Sequence, residues 1–106
     1  MNKDNPIAQL SKDFAKLIVN LYQSLTTEKR EYIISKQVLR SGTSIGANVR
    51  EAIYAQSRAD FVNKMSIALK ESSETEYWLE LLFETGYIGN ELYKSVYTKT
   101  ANYQQH

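Results

Sequence analysis

Several residues in this chain have the types and spacings that chemistry needs. Glu71 and Glu74 stand three positions apart, the spacing of a paired carboxylate on one helix face. The stretch SGTSIGANVREA, Ser41 to Ala52, opens with two glycines, three hydroxyl residues and an asparagine in eight positions, the composition of a loop that cradles a phosphate. Lys29, Lys36 and Arg40 follow at steps of seven and four, able to track a phosphate backbone from one side of a helix. Tyrosines stack on bases when displayed beside such cations, and Tyr32 and Tyr54 lie in the basic segment. The catalytic readings fail on what is missing. There is no cysteine and the one histidine is His106, so zinc sites and nucleophile–base pairs lose their usual residues, and no Glu-x-x-His pair exists for a di-iron bundle. GTSIGA lacks the lysine of a Walker loop and no strand precedes it. Glutamates one turn apart on an acidic helix are ordinarily a solvated face. The residues predict no enzyme, no metal, no cofactor and no evident small-molecule substrate.

The elements that must position these residues follow from size and periodicity. A chain of 106 residues, 42% hydrophobic and 24% charged, is the size of one domain, residues 1–106. Charges at Lys3, Asp4, Lys12 and Asp13 interrupt the N-terminus, which therefore reads as neither a signal peptide nor a membrane span, and without cysteine the expected compartment is the cytoplasm. The net charge of +1 is unevenly spread. Residues 29–58 hold six cations, Lys29, Arg30, Lys36, Arg40, Arg50 and Arg58, against two acids, net +4; residues 59–92 hold seven acids against two cations, net −5. Two helices packed side by side would pair such charges along their flanks. The sharper alternative makes those six cations a nucleic-acid surface, although near-neutral chains are weak candidates for that role.

Ile7, Leu10, Phe14, Leu17, Ile18, Leu21, Tyr22 and Leu25 recur at steps of three and four, predicting a first helix over about 6–25, capped by Asn5-Pro6 and ended at Thr26-Thr27. From Glu28 onward Ile34, Val38, Ser41, Ile45, Asn48, Val49 and Ala52 keep a helical phase straight through the glycine-containing stretch. A loop has no reason to hold that phase. Gly42 and Gly46, four apart, instead make a flat surface for close packing, which must offset roughly 1 kcal/mol of helix propensity at each. A third helix is expected over about 60–85, stopped by Gly86, with Phe61, Met65, Ala68, Leu69, Ser72, Glu76, Leu79, Leu82 and Phe83 on its main face. A fourth runs from near Asn90 through Leu92, Tyr93, Val96, Tyr97 and Ala101 into a loose end. The fold class is all-α, an antiparallel four-helix bundle.

Two features of this bundle bear on function. Ser41 and Asn48 on the second helix, with Ser72 and Glu76 on the third, put polar groups on core faces. A hairpin turning near Gln56 to Arg58 brings Ser41 close to Ser72, and Gln37 or Ser41 within reach of Glu76, predicting a hydrogen-bonded layer that fixes helix register. Ile67, Trp78 and Leu81 lie off the third helix's main stripe; the expectation is burial against another subunit, the alternative a Trp lying across the edge of its own core.

With these residues in view, LRSGTSIGANVREA and ALKESSETEYWLELL resemble the centre of a family of small bacterial four-helix-bundle proteins, those encoded in intervening sequences of 23S ribosomal RNA genes. The chain is also similar to the accessory variability proteins of diversity-generating retroelements. The matching family positions are Arg40, Ser44, Asn48, Glu51 and Glu74, and Ala52 stands where the family usually has glycine. The resemblance implies an up-down-up-down bundle assembled as a homopentamer. In the retroelement branch it implies binding of RNA and a reverse transcriptase through a basic surface, from which this chain departs in its near-neutral charge and acidic third helix. The expected function is a non-catalytic oligomeric interaction protein whose partner is RNA or an RNA-processing protein. The alternative is a protein-binding scaffold or accessory subunit with no nucleic-acid role.

Overall fold

Asn5 fixes the start of the first helix: its side chain accepts the Ile7 N–H at 2.8 Å, and Pro6 supplies a preset first turn. The computed structural model describes residues 5–104, with side chains for residues 5–99. Four helices follow in order: α1 (Pro6–Thr27), α2 (Ile34–Ile53), α3 (Arg58–Glu84) and α4 (Asn90–Gln104). Each packs on its neighbours in sequence, and a slighter α1–α4 contact closes the ring. The long axis of 43 Å matches about 40 Å for the 27 residues of α3 at the α-helical rise. This is an all-α four-helix bundle. The expected loose end at Asn102 to His106, and the side chain of Ala101, fall outside the described side chains.

The helical phase through Gly42 and Gly46 is real, since α2 is continuous from Ile34 to Ile53. The glycines face α1. A Cβ at Gly42 would stand 2.8 Å from Ile18 Cγ1 and 2.9 Å from its Cγ2, and one at Gly46 would stand 3.3 Å from the Ser11 carbonyl oxygen. The core around this contact is Phe14, Ile18, Leu21 and Leu25 of α1, Val38, Ile45 and Val49 of α2, Leu79 and Leu82 of α3, and Val96 of α4.

The start of α2 differs from expectation. It does not begin at Glu28, because Thr26 and Thr27 donate their hydroxyls back to the Tyr22 and Gln23 carbonyls and prolong α1 to Thr27. Arg30 then turns the chain through a left-handed conformation, φ 53°. The cap of α2 is Glu31, whose carboxylate accepts the N–H groups of Ile33 (3.2 Å), Ile34 (3.0 Å) and Ser35 (2.6 Å) while its own carbonyl accepts the Ser35 hydroxyl at 2.7 Å. Burial alone would raise the Glu31 pKa, but these donors outweigh it and hold the carboxyl below its ordinary range. At the other end of the bundle, Ser57 accepts the Asp60 N–H at 3.0 Å and opens α3 two residues earlier than expected. Gly86, at φ 86°, stops α3 as predicted, with Tyr87 N–H on the Leu82 carbonyl and Gly86 N–H on that of Phe83.

Candidate interaction surfaces

The polar layer sits between α2 and α3, and it includes Thr75, a residue that the spacing did not single out. Ser41, Ser72 and Thr75 are all fully buried. The partner of Ser41 is Thr75, whose Oγ1 reaches Ser41 Oγ at 2.9 Å and the Glu71 carbonyl at 2.7 Å. Glu76 stands close enough to α4 for its charge to be the main cause raising the Tyr97 hydroxyl pKa. Asn48 bonds within its own helix, donating to the Ser44 carbonyl (2.9 Å) and hydroxyl (3.0 Å). Ala52, in the position where the resemblance expects glycine, is buried and helical.

Outside this layer lies an ion cluster. Arg40 Nη2 donates to Glu74 Oε1 at 2.6 Å, the same oxygen accepts the Trp78 indole N–H at 3.2 Å, and Arg40 Nη1 stands 3.7 Å from Glu71 Oε2. That Glu71 oxygen is buried and accepts no hydrogen bond among the described residues. Bonding to Arg40 lowers the Glu74 pKa and, reciprocally, raises that of Arg40. Glu71 and Glu74 are therefore neither a paired acid–base couple nor a solvated face; they hold a guanidinium. Further along, Glu51 pairs with Lys64 at 2.9 Å. These contacts are the flank pairing expected of two oppositely charged helices.

Trp78 is half-buried against the core of its own chain, and Ile67 and Leu81 are half-buried as well. The exposed aromatic beside it is Tyr77, edge-on to the Trp78 ring with centroids 5.0 Å apart.

The six cations do not form one stripe. Lys29 and Arg30 precede α2 in the 28–33 connection, so Lys29 cannot continue the helical line of Lys36 and Arg40, and Arg40 is committed to α3. Lys29, Arg30 and Lys36 cluster toward one end of the bundle, and Arg50 and Arg58 toward the other. Among the described residues these five make no ion pair. Tyr32 and Tyr54 are both exposed, one near each group. Near Arg50 there is a cleft that sequence reasoning missed. It has a volume of about 640 Å³ and lies between α1 and α2, with Ala8, Ala15, Gly46 and Ala47 among its small residues and Lys12, Arg50 and Tyr54 at its edge. Ala8 and Ala15 seven apart on α1 and the adjacent Gly46 and Ala47 on α2 were its only signal. No three His, Cys, Asp or Glu residues cluster to hold a metal among the described residues, and no described helix is long and apolar enough to cross a membrane.

The geometry defines an all-α four-helix bundle. Residues 3–106 match the model of the 23S rRNA-intervening sequence protein family, and the chain belongs to that family. It is similar to a crystal structure, at 1.70 Å resolution, of a protein with unknown function from the S23 ribosomal protein family of Bacteroides thetaiotaomicron VPI-5482. The two are 56% identical over 93% of this chain and 92% of that one, with a TM-score of 0.92. No curated protein matches the sequence.

Proposed function

We propose that the protein is a non-catalytic, cytoplasmic interaction protein that assembles as a homo-oligomer, a pentamer by resemblance, and associates with RNA. The observation that carries this reading is the set of five cations, Lys29, Arg30, Lys36, Arg50 and Arg58, that have no ion-pair partner among the described residues while the acids of α3 hold Arg40. Such cations beside exposed Tyr32 and Tyr54 suit a backbone-tracking surface with stacking positions. Membership in a family named for a 23S rRNA intervening sequence supports the same partner.

Binding of single-stranded RNA measured across a salt series tests it. Affinity should fall steeply with salt, and changing Lys29, Lys36, Arg50 and Arg58 to alanine should flatten that slope by about 0.7 for each phosphate of a single strand no longer neutralised. Arg40→Ala should flatten it less. The absence of binding at low salt would sink the RNA reading and favour a protein scaffold, for which exposed Ile33 and Tyr77 supply apolar contact area. Light scattering measures the assembly directly, and a monomer at working concentration would remove the ring.

A further inference from the structure

The cleft between α1 and α2 combines a floor, a ring and two charges. We infer that it is a subsite for one nucleoside phosphate, with the base against the small-residue floor and Tyr54 and the phosphate between Lys12 and Arg50. This rests on the RNA reading for its biological source but not for its chemistry.

The floor is made of Ala8 and Ala15 on α1 and Gly46 on α2, with exposed Ala47 at the outer rim, so the residues between the two helices here are small. At about 640 Å³ the cleft falls within the ~300–1,000 Å³ range of small-ligand sites. Its charge is one-sided. Lys12 and Arg50 line it, no acid does, and neither cation has an ion-pair partner among the described residues. The acids that follow them in sequence are otherwise engaged: Asp13 accepts from Gln9, and Glu51 pairs with Lys64. Tyr54, at the C-terminus of α2, is 66% exposed, so its ring is open to a planar partner. A flat group bearing an anion complements this set, whereas an apolar peptide would leave both cations unanswered.

The site also has a direction. Lys36, Thr43, Ala47, Arg50 and Tyr54 follow one another at steps of seven, four, three and four, so they share the outer face of α2. Lys36 lies about 21 Å from Arg50 along the helix at the standard rise, which is the span of a few extended nucleotides. A strand with one base in the cleft would run up α2 toward Lys36.

The experiment titrates an eight-nucleotide single-stranded RNA, AMP and inorganic phosphate into the full chain at low salt, following amide shifts and RNA anisotropy. Shifts should centre on Ala8, Gly46, Ala47 and Tyr54. Arg50→Gln and Ala47→Leu, both on the outer face of α2, should each weaken RNA binding about tenfold, with unchanged circular dichroism. AMP shifting the same amides more than phosphate does would support the subsite even without RNA binding, assigning it to free nucleotides and sinking the RNA reading alone. RNA bound equally well by both variants, yet lost on changing Lys29 and Lys36, would overturn the subsite and leave the RNA reading standing. Equal binding of a poly-glutamate peptide at the cleft would overturn it in favour of an acidic protein partner. No shift with any of these probes would overturn both.

Discussion

The two long sides of α2 are held in different ways. Toward α1 it presents Gly42 and Gly46, and the contact is one of shape: Ile18 sits where a Cβ would be, and Ser11 backs onto Gly46. Toward α3 it presents Ser41 and Arg40, and the contact is one of pairing, a buried Ser41–Thr75 bond flanked by Arg40 with Glu71 and Glu74 and by Glu51 with Lys64. Shape sets how near two helices come but tolerates sliding. Point contacts between polar atoms set register, because a one-turn slip would strand buried hydroxyls. Sterics on one side and register on the other leave α2 with a single position, and the shape-packed seam is the one that carries the open cleft.

The largest effect should come from the shape-packed side. Gly42→Val would drive carbon into Ile18, which is fully buried and β-branched and has nowhere to turn; a loss of about 3 kcal/mol is expected in denaturant unfolding. Gly46→Ala is the contrast. Its Cβ meets the Ser11 carbonyl oxygen at 3.3 Å, a cost that the gain of about 1 kcal/mol in helix propensity nearly cancels, so its midpoint should stay close to that of the parent. Equal destabilisation by the two would mean that close approach at Gly42 does not set the seam.

This contrast was partly legible in the sequence. The glycines held helical phase, so their place on a packing face followed from spacing, as did the four elements and the Gly86 stop. The register side was less legible. Glu71, Glu74 and Thr75 share a short segment of one turn, and spacing placed Ser72 and Glu76 inward without revealing that Thr75 is the residue that meets Ser41. The cap of α2 escaped because an acid reaching forward to three N–H groups leaves no periodicity; Glu31 reads as one more charge before an apolar run. Arg30 in a left-handed turn has no signal either, since glycine or asparagine is the usual occupant. The cleft was invisible because it depends on what two helices leave unfilled.

An intermediate effect should come from the paired side. Thr75→Val keeps volume and removes the hydroxyl, leaving Ser41 buried without its cross-helix partner; about 1–2 kcal/mol should be lost. Adding Ser41→Ala should recover part of that loss, because both partners of the bond are then gone. The coupling in this double-mutant cycle measures the register contact itself. Additive losses would show that the two hydroxyls act independently and that register lies with the ion pairs.

The smallest effect separates two carboxylates lying on opposite sides of the comparison. Glu31, at the α1–α2 connection, and Glu74, on the α2–α3 seam, both have pKa values lowered from 4.5, but the stabilising partners are three backbone N–H groups for Glu31 and chiefly the Arg40 guanidinium for Glu74. A carboxylate with a depressed folded pKa adds stability that is fully present above its unfolded pKa and disappears as pH falls through the folded value. Glu31→Gln should therefore cost about 1 kcal/mol at neutral pH, and its stability curve should converge with that of the parent below pH ~4. Glu74→Gln should converge in the same window from a smaller difference, because Arg40 is more than half exposed and water screens the pair. Salt then divides them. At about 1 M ionic strength charge pairs at the surface are screened over a few ångströms, so the Glu74 difference should shrink, while Glu31, buried and bound to backbone donors that no counterion can replace, should keep most of its own. If salt erased both differences alike, the Glu31 cap would be acting through long-range charge rather than through its hydrogen bonds, and the start of α2 would rest on the helix dipole instead.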